Sequence, residues 1–316
     1  APLEYFELGA GECEVALNQK KDTLEEVVLG DGIKNIKNYY LYGCGKVTKI
    51  SLGNGIETIG AYAFSQTSIS EIVIPDSVTE IGEGAFSSCT SLTSVKISPQ
   101  SKLTKMGGYT GAKITNIYIP SGITQIESGS FFNLSDLTVV DMSSLSNQNV
   151  KIGAWCFTSW WQDITEEDRP LRIYYVNNAG IIDRLKNTDN CNGETEDGKK
   201  GTRIDLSIIA VTNGGVFKEG TELDTNTLKN PIKAGYVFDG WYTDEEFKNK
   251  VADSYTLAKG QTYYAKWEKS GYSAAANIEF DALIYGQTPS SKDVEFTFNG
   301  GDTGSIKSVD SGSDNF

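Results

Sequence analysis

The chain has 316 residues, 39% of them hydrophobic and 11% aromatic, enough apolar content for two or three packed domains rather than a disordered polymer. Its formal net charge of −14 excludes a nucleic-acid partner, which needs a basic footprint on the phosphates, and docking on anionic lipid by charge alone. Histidine is absent, which removes the base of a Ser-His-Asp or Cys-His nucleophile pair and the ligands of His-containing zinc sites.

Residues 1–23 form an N-terminal cap in this reading. The opening APLEYFELG has neither an initiator Met nor a signal-peptide pattern, so a mature or trimmed start is expected. No run of about 18 apolar residues occurs, so no membrane insertion is expected in this segment.

From Leu24 the chain repeats. IGAYAF begins at Ile59, IGEGAF at Ile81 and IGAWCF at Ile152, with looser copies at Ile36 and Ile126. The copy at Met106, MGGYTG, is degenerate and reads as having lost its Phe. The residues that open each unit are Ile33, Ile56, Val78, Leu103, Ile123 and Val150, separated by 23, 22, 25, 20 and 27 positions. A repeat of about 20–29 residues is the period of a leucine-rich solenoid. Each unit also carries L-x-x-V-x-I, as in Leu92, Val95 and Ile97, whose last two positions alternate as a half-buried strand requires. Pro75 and Pro120 follow directly on Ile74 and Ile119, where a strand can end without losing a needed N–H. One unit cannot bury its own apolar face; stacked units share one continuous core.

The repeat also assigns the cysteines. Cys44 and Cys89 occupy a slot that accepts Thr67, Leu134 and Trp160 in other units, and Cys156 takes the place of Ala63 and Ala85. A slot this tolerant selects for packing, so these three are expected to be buried structural thiols. Cys13 and Cys191 lie outside the frame and are either unpaired or bridged to each other.

The pattern IPxxVTxIGxxAFxxCxxLxxVxI resembles the BspA-like leucine-rich repeat of bacterial surface proteins, over residues 24–180 in this chain. That resemblance implies a short horseshoe on a secreted or wall-attached protein, of a family that includes adhesins for host matrix proteins or other bacteria. In horseshoe repeats the outward strand positions line the concave, ligand-facing surface. Here those positions hold Val73, Lys96, Tyr118 and Asp141, with Lys49, Glu71 and Asn116 beside them. Two readings stand: a solvated sheet face of mixed charge, or a strip that binds peptide or glycan. A further lane, Thr48, Ser70, Thr93, Thr115 and Thr138, is expected to form a hydroxyl ladder along the sheet. Trp161 has no slot in the repeat and is either an interface anchor on a loop or a lid on the end of the core.

Residues 181–203 lose the repeat and fill with Asn, Asp, Gly and Lys, reading as a cap that runs into a linker. They do not fit a calcium loop, because Cys191 falls on a ligand position, so no metal and no cofactor are expected. Residues 204–269 alternate with period two and are rich in aromatics. Their NGG (Asn213–Gly215), GYVFDGWY (through Tyr242) and YAKW (ending at Trp267) resemble the Listeria–Bacteroides (internalin B-type) repeat. This implies a small β-grasp-like module; in so small a domain the aromatic rings read as its core, with a carbohydrate-stacking surface at GYVFDGWY as the alternative. Residues 270–316 show three strand-like runs similar to the opening of an immunoglobulin-like β-sandwich, a fragment that the native chain is expected to continue.

Taken together, these features lead us to expect a β-rich leucine-rich-repeat solenoid followed by two smaller β units, in a secreted or cell-surface monomer without catalysis. The expected partner is an extracellular protein or glycan held by the solenoid. The alternative is a structural spacer that presents another domain. Adjacent acids such as Glu25/Glu26 and Asp244/Glu245/Glu246 do not face each other across a cleft in this reading, as glycoside hydrolysis would require.

Overall fold

The computed structural model describes residues 4–8, 23–147, 149–157, 171–187, 207–252 and 254–270. After β1 (Glu4–Leu8), longer and shorter strands alternate: β2 (Leu24–Leu29), β3 (Asn35–Ile36), β4 (Lys49–Leu52), β5 (Thr58–Ile59), β6 (Glu71–Ile74), β7 (Glu80–Ile81), β8 (Ser94–Ile97), β9 (Lys105–Met106), β10 (Asn116–Tyr118), β11 (Gln125–Ile126), β12 (Val139–Met142) and β13 (Lys151–Ile152). They are followed by β14 (Ile173–Val176), helix α1 (Ala179–Asn187), β15 (Ile208–Val211), β16 (Tyr236–Tyr242) and β17 (Thr262–Lys269).

Each turn of the solenoid contributes one strand to a front lane and one to a back lane. The back lane is a single parallel sheet in the order β13-β11-β9-β7-β5-β3. The front lane is split into β1-β2-β4, then β6-β8, then a six-stranded sheet β10-β12-β14-β15-β17-β16. Between the lanes lies one core. Its axis is a row of rings, Phe64, Phe86, Tyr109, Phe131 and Phe157, with centroids 5.1–5.6 Å apart and all five fully or almost fully buried.

The Met106 unit, read as having lost its Phe, keeps a ring in the stack: Tyr109 takes the place of the Phe. Met106 to Tyr109 is three residues where Ile81 to Phe86 is five, so the unit is shorter by two and its ring arrives early. The backbone confirms the alignment: the Phe86 N–H donates to the Gly108 carbonyl as the Phe64 N–H donates to Ala85. The ring keeps its place in the stack, but its hydroxyl is buried without a hydrogen-bond partner.

The cysteine slot is packing, as the repeat implies. Cys44, Cys89 and Cys156 are buried, and Ala112 fills the slot of Cys44 and Cys89 in the short unit. The Cys89 thiol donates to the Phe64 carbonyl at 3.2 Å, and burial pushes its pKa up, so the nucleophilic thiolate is disfavoured. Cys13 and Cys191 lie outside the described residues.

The expected hydroxyl ladder takes a different form. Thr48, Thr93 and Thr138 each send both N–H and hydroxyl to one carbonyl of the preceding unit, on Glu25, Ser70 and Thr115 respectively. Thr79, Thr104 and Thr124 repeat this on the back lane. These hydroxyls therefore bond to the neighbouring coil's backbone instead of to one another.

Beyond the solenoid the front sheet continues. Strand β15 pairs in parallel with β14, and β17 with β15, so the aromatic-rich module continues the front sheet without a break. Within the stretch read as a cap running into a linker, residues 181–187 belong to α1, whose Ile181, Ile182 and Leu185 close the end of the core. Residues 188–203 lie outside the described residues, as do Trp160, Trp161 and the whole of 271–316.

The NGG motif has a job for each residue. Asn213 and Gly214 have positive φ, 50° and 85°, and make the turn, while the Asn213 amide donates to the Ala265 carbonyl. Gly215 lies under the Trp267 ring, where an added Cβ would stand 2.4 Å from a ring carbon. Trp241, Tyr242 and Tyr263 are buried, as expected for core rings, whereas Tyr236 stays 41% exposed on the edge strand.

Candidate functional site

The outward strand positions change character along the front lane. On β4, β6 and β8 they are polar or isolated: Lys49 pairs with Glu26 at 2.6 Å and Lys96 with Glu71 at 2.8 Å. Exposed pairs of this kind are screened by solvent, so they hold little in place. Val73 stands 55% exposed between them. This part of the predicted strip is open.

From β10 onward the strip meets the second module, with Asn116 still exposed, Tyr118 half-buried and Asp141 buried. The Asn116 side-chain amide donates to the Leu223 carbonyl, and Tyr118 is half-buried with its oxygen accepting from the Ser144 hydroxyl at 2.7 Å. Asp141, expected at the surface, is buried. The cause is the segment 216–223 of the second module, which folds back over the sheet. Beneath it Val139, Ile173, Tyr175, Ile208 and Ala210 face a second apolar cluster, closed by Leu228, Trp241, Tyr263 and Ala265. The module thus builds its core on the outer face of the solenoid's last strands. Of the predicted site residues, Lys49, Glu71, Val73 and Lys96 share the open face, while Asn116, Tyr118 and Asp141 lie at a junction. Trp161 is outside the described residues.

At that junction is a cleft of about 300 Å³. It opens where no hydrogen bonds pair β8 with β10, an interruption that leaves Val95 and Ile97 half-buried instead of sealed in the core. Val95, Ile97 and Ile117 supply its apolar lining, Tyr118, Asp141 and Ser144 its polar side, and Phe217 to Thr221 the opposing loop. Phe217 is anchored edge-on against Tyr175, with centroids 4.7 Å apart.

Burial raises the Asp141 carboxyl to a pKa of about 6, an effect only partly offset by its hydrogen bonds with Ser143. Oδ1 accepts the Ser143 N–H at 2.9 Å. No described Lys or Arg forms an ion pair with this carboxyl. The acids singled out by sequence as adjacent pairs have local structural partners instead: Glu26 holds Lys49, Asp244 caps the N–H groups of Lys248 and Asn249, and Glu245 accepts from the Tyr264 hydroxyl.

Two features of the region escaped the sequence reading. Arg172, buried just before β14, donates to the carbonyls of Leu134, Leu137 and Phe157 and ties the solenoid's last coils together. The cleft itself joins residues more than 100 positions apart. A signal for the covering module was present: outward positions turn apolar at Val139, Ile173, Tyr175, Ile208 and Ala210, the mark of strands buried on both faces.

Comparison with known proteins gives two family matches. The BspA type leucine rich repeat region matches in six copies over residues 18–138 and 105–175, together half of the chain, and the Listeria-Bacteroides repeat domain matches residues 197–266. Curated proteins give no match. Among solved structures, the leucine-rich repeat protein of T. pallidum is 27% identical, covering 38% of this chain and 46% of its own, with a TM-score of 0.28. One from Bacteroides ovatus is 18% identical, covering 54% and 59%, with a TM-score of 0.29. A leucine-rich cell surface protein of Faecalibacterium prausnitzii is 16% identical, covering 66% and 82%, also with a TM-score of 0.29. The chain spans about half the length of the first two. The repeat, the ring stack and the family match agree: the chain belongs to the BspA-type leucine-rich-repeat family and carries a Listeria–Bacteroides repeat domain after its solenoid.

Proposed function

We propose that this chain is a secreted or surface-exposed bacterial binding protein, adhesin-like, that recognises an extracellular protein or glycan on the front lane of its solenoid. The observation that carries the reading is the course of that lane: open across β4, β6 and β8, then ending in a cleft where the second module closes over the sheet. A concave sheet face left open beside a partly apolar recess is the usual form of a solenoid's recognition surface. No described helix is long and apolar enough to cross a membrane.

The test is binding of the full chain to a panel of host matrix proteins and glycans at physiological salt, beside Lys96→Glu and Tyr118→Ala. Loss of affinity in variants that still melt normally supports the front lane. Unchanged affinity places recognition elsewhere.

A second reading is a rigid spacer, favoured by the sheet that runs unbroken from β14 through β15 into the module. It predicts no binding to any member of the panel.

A further inference from the structure

A buried carboxylate without a counter-ion is costly, because desolvation is not repaid by pairing. Among the described residues, Asp141 has no ion-pair partner and stands at one wall of the junction cleft. The groups facing it from each packed element are Tyr118 on β10, Tyr175 on β14, and Glu219 and Lys218 on the covering loop. The two tyrosines are neutral, with phenol pKa values raised by burial, Glu219 adds a second negative charge near Tyr118, and Lys218 is exposed at the loop and pairs with neither acid. Beside the carboxyl lies an aliphatic lining of Val95, Ile97 and Ile117.

We propose that this cleft receives an organic cation, an ammonium or guanidinium on an aliphatic stem of the lysine or arginine type, with the Asp141 carboxylate as its counter-ion. The stem lies along Val95, Ile97 and Ile117 beneath Phe217, and the charged end reaches Asp141, with the Tyr118 and Ser144 oxygens as further acceptors. Chemistry selects this occupant, and a cleft of about 300 Å³ has room for one long side chain. The charge on the wall rejects an anion, and a neutral group would leave the carboxylate unpaired. The same cation can come from a basic side chain of a partner protein or from a free amine. The inference rests on the reading of the chain as a binding protein.

The experiment uses the full chain, labelled for NMR, with two probes. One is n-pentylamine, compared with n-pentanol. The other is acetyl-glycyl-lysyl-glycine amide, compared with the same peptide acetylated at the lysine Nε. The expected result is that the cationic probes, and not their neutral counterparts, shift the amides of Asn116–Tyr118 and of residues 216–221. They should also move the Asp141 carboxyl titration to lower pH, and Asp141→Asn should weaken binding by about tenfold or more. Binding of the peptide alone identifies a protein side chain as the source, and binding of the amine alone identifies a small molecule. Equal binding of neutral and cationic probes overturns the proposal, as does silence from both cations. The comparison of charged with neutral probes needs no variant, so it stands even where Asp141→Asn disturbs folding. Such a failure would leave the open strand face untouched, because the matrix panel tests that face separately.

Discussion

The Asn116 side-chain amide donates to the Leu223 carbonyl at 2.9 Å, joining β10 of the solenoid to a loop 107 residues later in the chain. This bond sits at one wall of the junction cleft and helps hold the covering loop against the sheet. Asn116→Ala should cost only about 1 kcal/mol of global stability, the net worth of one hydrogen bond. Its larger effect should be local, as faster amide exchange across residues 216–223. Unchanged exchange there would show that Phe217 packing alone positions the loop.

The Tyr109 hydroxyl is orphaned in a stack where neighbouring units carry Phe. Tyr109→Phe keeps the ring and removes an unsatisfied polar group, so it should raise stability by about 1–2 kcal/mol in denaturant melts. A loss of stability would mean that the hydroxyl has a partner in solution.

Arg172 satisfies three backbone carbonyls that otherwise face the interior. Arg172→Met preserves much of the apolar volume but leaves the Leu137 and Phe157 carbonyls without that donor, while the Leu134 carbonyl keeps the Leu137 N–H, at a cost of at least about 2 kcal/mol. A near-neutral variant would require water to replace the guanidinium.

Two aspartates predict opposite pH dependence. The folded Asp141 pKa is about 6, raised by burial above the usual carboxylate value. The native state therefore binds the proton more tightly than the unfolded chain, and its stability falls as pH rises from about 4 to about 6. Asp141→Asn should remove that decline, a relative gain of up to about 3 kcal/mol at neutral pH. Asp239 is the reverse case: Lys250, Tyr242 and Lys266 bond to its carboxyl and hold its pKa well below the usual range. Its contribution is fully present above the unfolded carboxylate pKa and is lost as pH falls toward the folded one. Asp239→Asn should therefore lower the melting temperature at pH 7 more than at pH 3. Parallel pH curves for variant and wild type would contradict either assignment.

The solenoid was legible in the sequence because each unit states its own geometry. Ile59, Ala63 and Phe64 recur as Ile81, Ala85 and Phe86, and the structure places each pair in equivalent, touching positions. Tyr109 was missed because a two-residue deletion shifts the ring out of register while the stack, a property of three dimensions, absorbs the shift. The open half of the front lane was also legible, since alternation at Glu71–Ile74 follows from one wet face and one dry face. Asp141 was misplaced because its exposure depends on a module about 75 residues away, and alternation alone does not reveal what folds back over a strand. The apolar outward residues Ile173 and Tyr175 carried that information in the sequence.

The most direct test of the recognition surface is amide hydrogen exchange of the full chain, alone and with each member of the matrix and glycan panel. Recognition on the front lane predicts new protection in Glu71–Ile74, Ser94–Ile97 and Asn116–Tyr118, extending into residues 216–223. Protection confined to the back lane or to β16, or no change with any member of the panel, would contradict it.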